Sequence, residues 1–152
     1  MKYKTEKVRI SSDGEEMKML ILIPSDPARG SNRPGVLWIH GGGYITGMSG
    51  MVYMSRAKNL VKKYGAVVVS PEYRLAGKAP YPAALTDCHS ALLYLKEHAK
   101  ELGVRDDQIM VGGESAGGGL AAALCMYEKD HSGVNIAYQT VSYTHLTLPT
   151  KL

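Results

Sequence analysis

Ser115 offers the clearest opportunity for chemistry. It lies in Gly113-Glu114-Ser115-Ala116-Gly117, which follows a short apolar run over residues 109–112 and precedes a helical stretch of small residues. A serine placed two residues from a glycine on either side, at a strand-to-helix reversal, has the pattern of a nucleophile elbow. So tight a turn holds the serine in a strained backbone conformation, and side chains two positions away would clash. Gly113 and Gly117 remove those clashes. The turn lifts the hydroxyl off the sheet and directs the Ala116 amide into the same space, beside a helix N-terminus that favours negative charge. Attack on a carbonyl, with the resulting oxyanion held by backbone N–H groups, is the chemistry this arrangement permits. Glycine, serine and alanine also build ordinary turns and tightly packed helices, so a second feature has to carry weight.

That feature is His40-Gly41-Gly42-Gly43-Tyr44, directly after the apolar run over residues 35–39. Three consecutive glycines cost backbone entropy, which is justified where the backbone itself must approach something closely. Gly42 and Gly43 are candidates to join the Ala116 amide around an oxyanion. His40 and Gly41 are assigned to positioning that loop, His40 in preference to proton transfer, and Tyr44 is a candidate wall of a substrate cleft. The glycine run has neither the G-x-G-x-x-G spacing nor the G-K-[ST] ending of the common phosphate cradles.

The elements that must carry these residues follow from hydrophobic periodicity. Strands are expected over residues 6–10 and 17–23, joined at the Asp13-Gly14 turn and forming an antiparallel entry to a sheet. Continuous apolar runs over residues 35–39 and 66–70 suit strands covered on both faces. Helical spacing predicts helices over residues 55–64, stopped by Gly65, and over residues 83–102, stopped by Gly103. Two strand-helix-strand units then lead to the strand before Ser115, so the fold class is α/β: a mostly parallel sheet with helices on both faces and its chemistry at the carboxyl edge. Tyr73 and Arg74 fall at that edge as organisers of neighbouring loops. His89 and His98 read as ordinary helix residues, and Cys88 and Cys125 as buried thiols.

Composition narrows the function classes. The chain has 152 residues, 45% of them hydrophobic, enough for one modest domain. Its net charge of +4 is scattered, with no run of Lys/Arg longer than two, which argues against nucleic acid as a partner. No stretch approaches membrane-spanning length, and the opening MKYKTEK lacks the apolar core of a signal peptide, so the expected location is the cytoplasm. The five histidines and two cysteines follow no metal-ligand spacing; neither metal nor organic cofactor is expected.

In order along the chain, HGGGY at residues 40–44, EYRLAGKAPYPAAL at 72–85 and GESAGGGLAAAL at 113–124 resemble the N-terminal half of an α/β-hydrolase of the hormone-sensitive-lipase-like carboxylesterase family. The resemblance covers nearly all of the chain to about Thr140. It implies the α/β-hydrolase fold, Ser115 as nucleophile, and oxyanion amides from Gly42, Gly43 and Ala116. It also implies a serine esterase that forms an acyl-enzyme on small to medium esters, with a small-molecule ester as its partner. The chain departs from the common family pattern at Glu114, often aspartate, and at AGKAP, where proline and an acidic residue usually follow. A ligand-binding protein on a hydrolase scaffold without catalysis, or an amidase or thioesterase, remain the alternatives.

Such a mechanism needs a histidine to take the Ser115 proton and an acid to orient it, both after the nucleophile in this fold. After Ser115 the chain offers only Glu128, Asp130, His131 and His145. His131 lies at the far end of the nucleophile helix. His145 lies in VSYTHLTLPT, residues 141–150, where the sequence departs abruptly from a sixth strand begun by IAYQ. The DNA string GTC TCT TAT ACA CAT CTG ACG CTG CCG ACG translates as those residues and resembles a transposon-end sequencing adapter read in frame. Residues 1–140 are therefore expected to be the N-terminal portion of the hydrolase domain and residues 141–152 a non-native tail, the fold being truncated after the nucleophile helix and the start of the next strand. The fragment is expected to lack the acid and base. A strand at residues 109–112 would then have its outer edge exposed unless IAYQTVSY extends along it.

Overall fold

The computed structural model describes residues 2–25, 32–42, 48–131, 134–142 and 147–148. The chain enters as a hairpin of β1 (Tyr3–Ser12) and β2 (Glu15–Pro24). Its turn residues Asp13 and Gly14 both have positive φ, 54° and 77°. That is the two-residue geometry whose twist matches the flanking strands. β1 forms one edge of the sheet and exposes Lys4, Glu6, Lys7 and Arg9, charges that blunt an otherwise open edge.

The next strands are β3 (Arg33–Ile39), β4 (Val67–Pro71) and β5 (Val104–Glu114). The sheet order is β1-β2-β4-β3-β5-β6-β7, where β6 is Tyr138–Ser142 and β7 is Thr147–Leu148. β4, β3, β5 and β6 run parallel, while β2 joins β4, and β7 joins β6, antiparallel. The parallel heart reads as unbroken apolar sequence because both faces are covered. Leu37, Ile39, Val67, Val69, Ile109 and Val111 pack on one side. Val36, Trp38 and Val68 pack on the other.

Helices close both faces, as expected. On the second face lie a 3₁₀ segment (Ser49–Met54) and α1 (Arg56–Tyr64), which contribute Val52, Ala57 and Val61. Ser55 caps α1 by accepting from the Ala57 amide at 3.1 Å, and Gly65 ends it at φ 68°. On the first face lie α2 (Ala83–Glu97) and α4 (Ala116–His131), whose Cys88, Leu92, Leu95, Leu120 and Leu124 fill the core. The helix expected over residues 83–102 is divided at His98 into α2 and α3 (Ala99–Leu102). The Tyr94 carbonyl accepts both the His98 amide at 2.9 Å and its Nδ1–H at 3.0 Å. Cys88 and Cys125 are free and buried, as expected; burial pushes both thiols up, Cys125 to about 11.

β6 pairs with β5 from Met110↔Tyr138 to Glu114↔Ser142, so β5 is an interior strand with neighbours on both sides. The strand begun by IAYQ forms and continues past Thr140.

Candidate active site

The end of β5 and the start of α4 meet at Ser115, an exposed residue with φ 54°. A non-glycine residue at positive φ costs about 1–3 kcal/mol and persists only where its surroundings hold it. The surroundings are backbone. A Cβ on Gly113 would stand 2.2 Å from the Gly117 carbonyl oxygen, and one on Gly117 would stand 2.0 Å from that of Ile39. No real side chain fits either place, so the elbow is pressed directly against the end of β3. The Ser115 carbonyl accepts from the Gly118 amide at 2.9 Å and the Gly119 amide at 3.3 Å, which starts α4. Ala116 and Gly117 stand ahead of these donors in the first turn, where amides have no intrahelical acceptor.

β3 delivers the glycine loop to the same place, since Ile39 pairs with Gly113 in the parallel register. A Cβ on Gly41 would lie 2.8 Å from the Glu114 carbonyl oxygen and 3.3 Å from Ser115 Cβ, so the loop backbone is in contact with the Ser115 turn. Gly42 has φ 124°, a conformation that side chains rarely adopt. His40, Gly41, Gly42, Ser115 and Ala116 are thus brought together at the carboxyl edge. Gly43 and Tyr44 lie outside the described residues.

His40 is 1% exposed, and its Nδ1 lies 2.7 Å from the Gly41 carbonyl oxygen. A carbonyl only accepts, so Nδ1 carries the proton. Burial lowers the His40 pKa from its ordinary 6.5, outweighing the bond to Gly41 and the charge of Glu72, both of which act in the opposite direction. The unfolded chain therefore takes up this proton near its ordinary value while the folded chain resists it. Stability is expected to be unaffected by this group above that value, and to fall as the pH drops below it toward the lowered folded value. Denaturant midpoints measured from about pH 8 to pH 5 should decline more steeply in the wild type than in His40→Asn, and parallel profiles would refute the assignment.

The other described histidines are occupied elsewhere. His89 Nδ1 bonds to Glu128, whose second oxygen accepts from the Val134 amide at 2.9 Å. His98 is held on Tyr94, and His131 Nδ1 donates to the Tyr127 carbonyl at 2.8 Å. Among the described residues no hydrogen bond joins a histidine to Ser115; His145 lies outside them. Nor do three or more His, Cys, Asp or Glu side chains converge there on a possible metal position. No described helix is long and apolar enough to cross a membrane.

Three supporting residues escaped the sequence reading in whole or part. Glu128, named above only as an acid that follows Ser115, is 2% exposed, and His89, expected to be an ordinary helix residue, is its partner. Asp87 is 1% exposed and accepts from Ser12 Oγ at 2.7 Å, the Arg74 amide at 2.7 Å and the Arg74 guanidinium Nε at 3.1 Å. These bonds tie the hairpin to the chain leaving β4. The same cluster floors a cavity of about 360 Å³ lined in part by Met17, Glu72, Tyr73 and Lys78; Ser115 is not among its lining residues. The available signal was helical phase, since Asp87 and Glu128 fall on the apolar faces of their helices, where a carboxylate requires a partner. Tyr73, expected to organise neighbouring loops, donates its hydroxyl to the His40 carbonyl at 2.8 Å.

Comparison with known proteins agrees with this geometry. The family model described as alpha/beta hydrolase fold matches residues 36–151. An AB hydrolase superfamily protein of Schizosaccharomyces pombe is 41% identical over 104 residues, 68% of this chain and 30% of that protein. The carboxylesterase NlhH of Mycobacterium tuberculosis is 36% identical over 118 residues, 77% of this chain and 36% of its own. Among solved structures, a bacterial heroin esterase superposes with a TM-score of 0.77 at 38% identity, covering 90% of this chain and 44% of that one. The chain thus spans less than half the length of each. With its sheet order, its elbow and its glycine loop in agreement with the family match, the chain belongs to the alpha/beta hydrolase family.

Proposed function

We propose that this chain carries the nucleophile half of a serine carboxylic-ester hydrolase, acting through an acyl-enzyme on small to medium esters without metal or organic cofactor. Ser115 Oγ attacks the ester carbonyl, and the Gly42, Gly43 and Ala116 amides receive the oxyanion. The alcohol leaves, and water cleaves the acyl-Ser115 ester to release the acid and restore the serine. The general base and its orienting acid belong to the length that the relatives have and this chain does not span; residues 141–152 are read as a tail foreign to the enzyme. Esterase names among the relatives support the reaction class. The observation that carries the proposal is the strained Ser115 backbone held against Gly41 at a strand-to-helix reversal, because strain fixed by backbone contacts on both sides of a serine is the geometry of a nucleophile elbow.

The test is to restore what is missing. Residues 1–140 joined to the corresponding C-terminal part of an esterase relative should react with a fluorophosphonate, and mass spectrometry should find the adduct on Ser115. A folded chimera that takes no label there, under conditions where the relative itself is fully labelled, would sink the proposal.

A further inference from the structure

We propose that Tyr73 is a positioning residue for the glycine loop, acting through His40 to set the direction of the Gly42 amide. The inference deepens the reading of Gly42 as an oxyanion donor and rests on it. Two consecutive peptide planes are each held by a side chain. The Tyr73 hydroxyl donates to the His40 carbonyl at 2.8 Å, which fixes the plane joining residues 40 and 41. His40 Nδ1–H donates to the Gly41 carbonyl at 2.7 Å, which fixes the plane joining residues 41 and 42. In a trans peptide the N–H points opposite to the C=O. Drawing the Gly41 oxygen onto the His40 ring therefore turns the Gly42 N–H away from that ring.

Glycine planes need such restraint more than any others, because without a Cβ a peptide on either side of Gly41 or Gly42 can rotate at little steric cost. The rings hold one another as well: the His40 and Tyr73 rings stack at 4.2 Å between centroids and 14° between planes, and both are buried. Tyr73 is itself fixed, since its neighbour Arg74 is bound through both backbone amide and guanidinium to buried Asp87. A continuous series of contacts runs from the Asp87 carboxylate on α2 through Arg74, Tyr73 and His40 to Gly42. An oxyanion donor contributes most when its direction is set before charge develops, and this series sets it from outside the site.

The test uses the chain itself and NMR. In the wild type, His40 should show a protonated Nδ1 and a bare Nε2, and the Tyr73 hydroxyl proton should be protected from exchange. Tyr73→Phe keeps the ring stack and removes one bond; exchange of the His40 Nδ1 proton should accelerate about tenfold, and exchange broadening should appear at both Gly41 and Gly42. His40→Phe keeps the hydroxyl bond to the residue 40 carbonyl and removes the second, so broadening should be confined to Gly42. Wild-type behaviour at both glycines in Tyr73→Phe would overturn the proposal. Should that variant not fold, an unprotected Tyr73 hydroxyl or an Nε2-protonated His40 in the wild type would overturn it equally. None of these readouts requires Ser115 to react, so their failure is distinct from failure of fluorophosphonate labelling, which bears on the hydrolase reading alone.

Discussion

Mixed with an activated ester, this chain is expected to release product no faster than its Ser115→Ala variant, and without multiple turnover. A serine hydroxyl is a weak nucleophile near neutral pH until a base accepts its proton. The described histidines make other bonds: His40 is buried with Nδ1–H committed to Gly41, His89 is paired with Glu128, and His98 and His131 are held by carbonyls of their own helices. In serine proteases, loss of the triad histidine costs about 10⁶ in kcat. The backbone donors alone leave roughly 10³ to 10⁴-fold catalysis over water. The chimera with the C-terminal part of an esterase relative is expected to show turnover that Ser115→Ala abolishes. Robust turnover by the chain alone, lost in Ser115→Ala, would mean that a base acts from within these residues.

Gly117→Ala is expected to be among the most damaging single-methyl additions in the protein. The new Cβ would lie 2.0 Å from the Ile39 oxygen and 2.5 Å from the His40 oxygen, so the atoms that must yield are backbone, not the far end of a flexible side chain. Overpacking in a tight core costs about 1–3 kcal/mol and sometimes more. Rigid backbone neighbours place this case at the upper end, about 3 kcal/mol, a lowering of Tm by roughly 6–12 °C for a domain of this size. Alanine at Gly50, where a Cβ would meet nothing within 4 Å, is the control and should leave Tm within about 2 °C. Equal melting of Gly117→Ala and wild type would show that the elbow does not press on β3 as described.

The same contacts show why the sequence disclosed the site better than its supports. A strand, a glycine-flanked serine and a helix of small residues announce an elbow locally, and the unbroken apolar runs after Gly35 and after Gly65 announce covered strands. The hairpin turn was equally plain from Asp13-Gly14. What stayed hidden was pairing over distance. That Tyr73 reaches the His40 carbonyl, or that His89 meets Glu128, depends on which faces α2 and α4 turn to each other and to the sheet, and no local spacing records that. Asp87 was within reach of inference, because an acid on an apolar helix face must find a cation and Arg74 stood just upstream. The division of the long helix at His98 was not, since residues 83–102 carry no glycine or proline to mark it.

Because Gly117 rests on the Ile39 and His40 carbonyls, the turn at Ser115 cannot be completed by its own segment. Its two walls are separated by nearly 80 residues of sequence, and such contacts form only after a large loop has closed. Helix α4 can begin to wind early and locally, but the strained serine at its head has nothing to hold it until β3 and β5 lie side by side. The strained geometry at Ser115 is therefore expected among the last things the folding chain acquires. A partly folded form can be helical and compact while the serine still samples relaxed backbone angles, so chemical competence reports on completion of the sheet rather than on collapse.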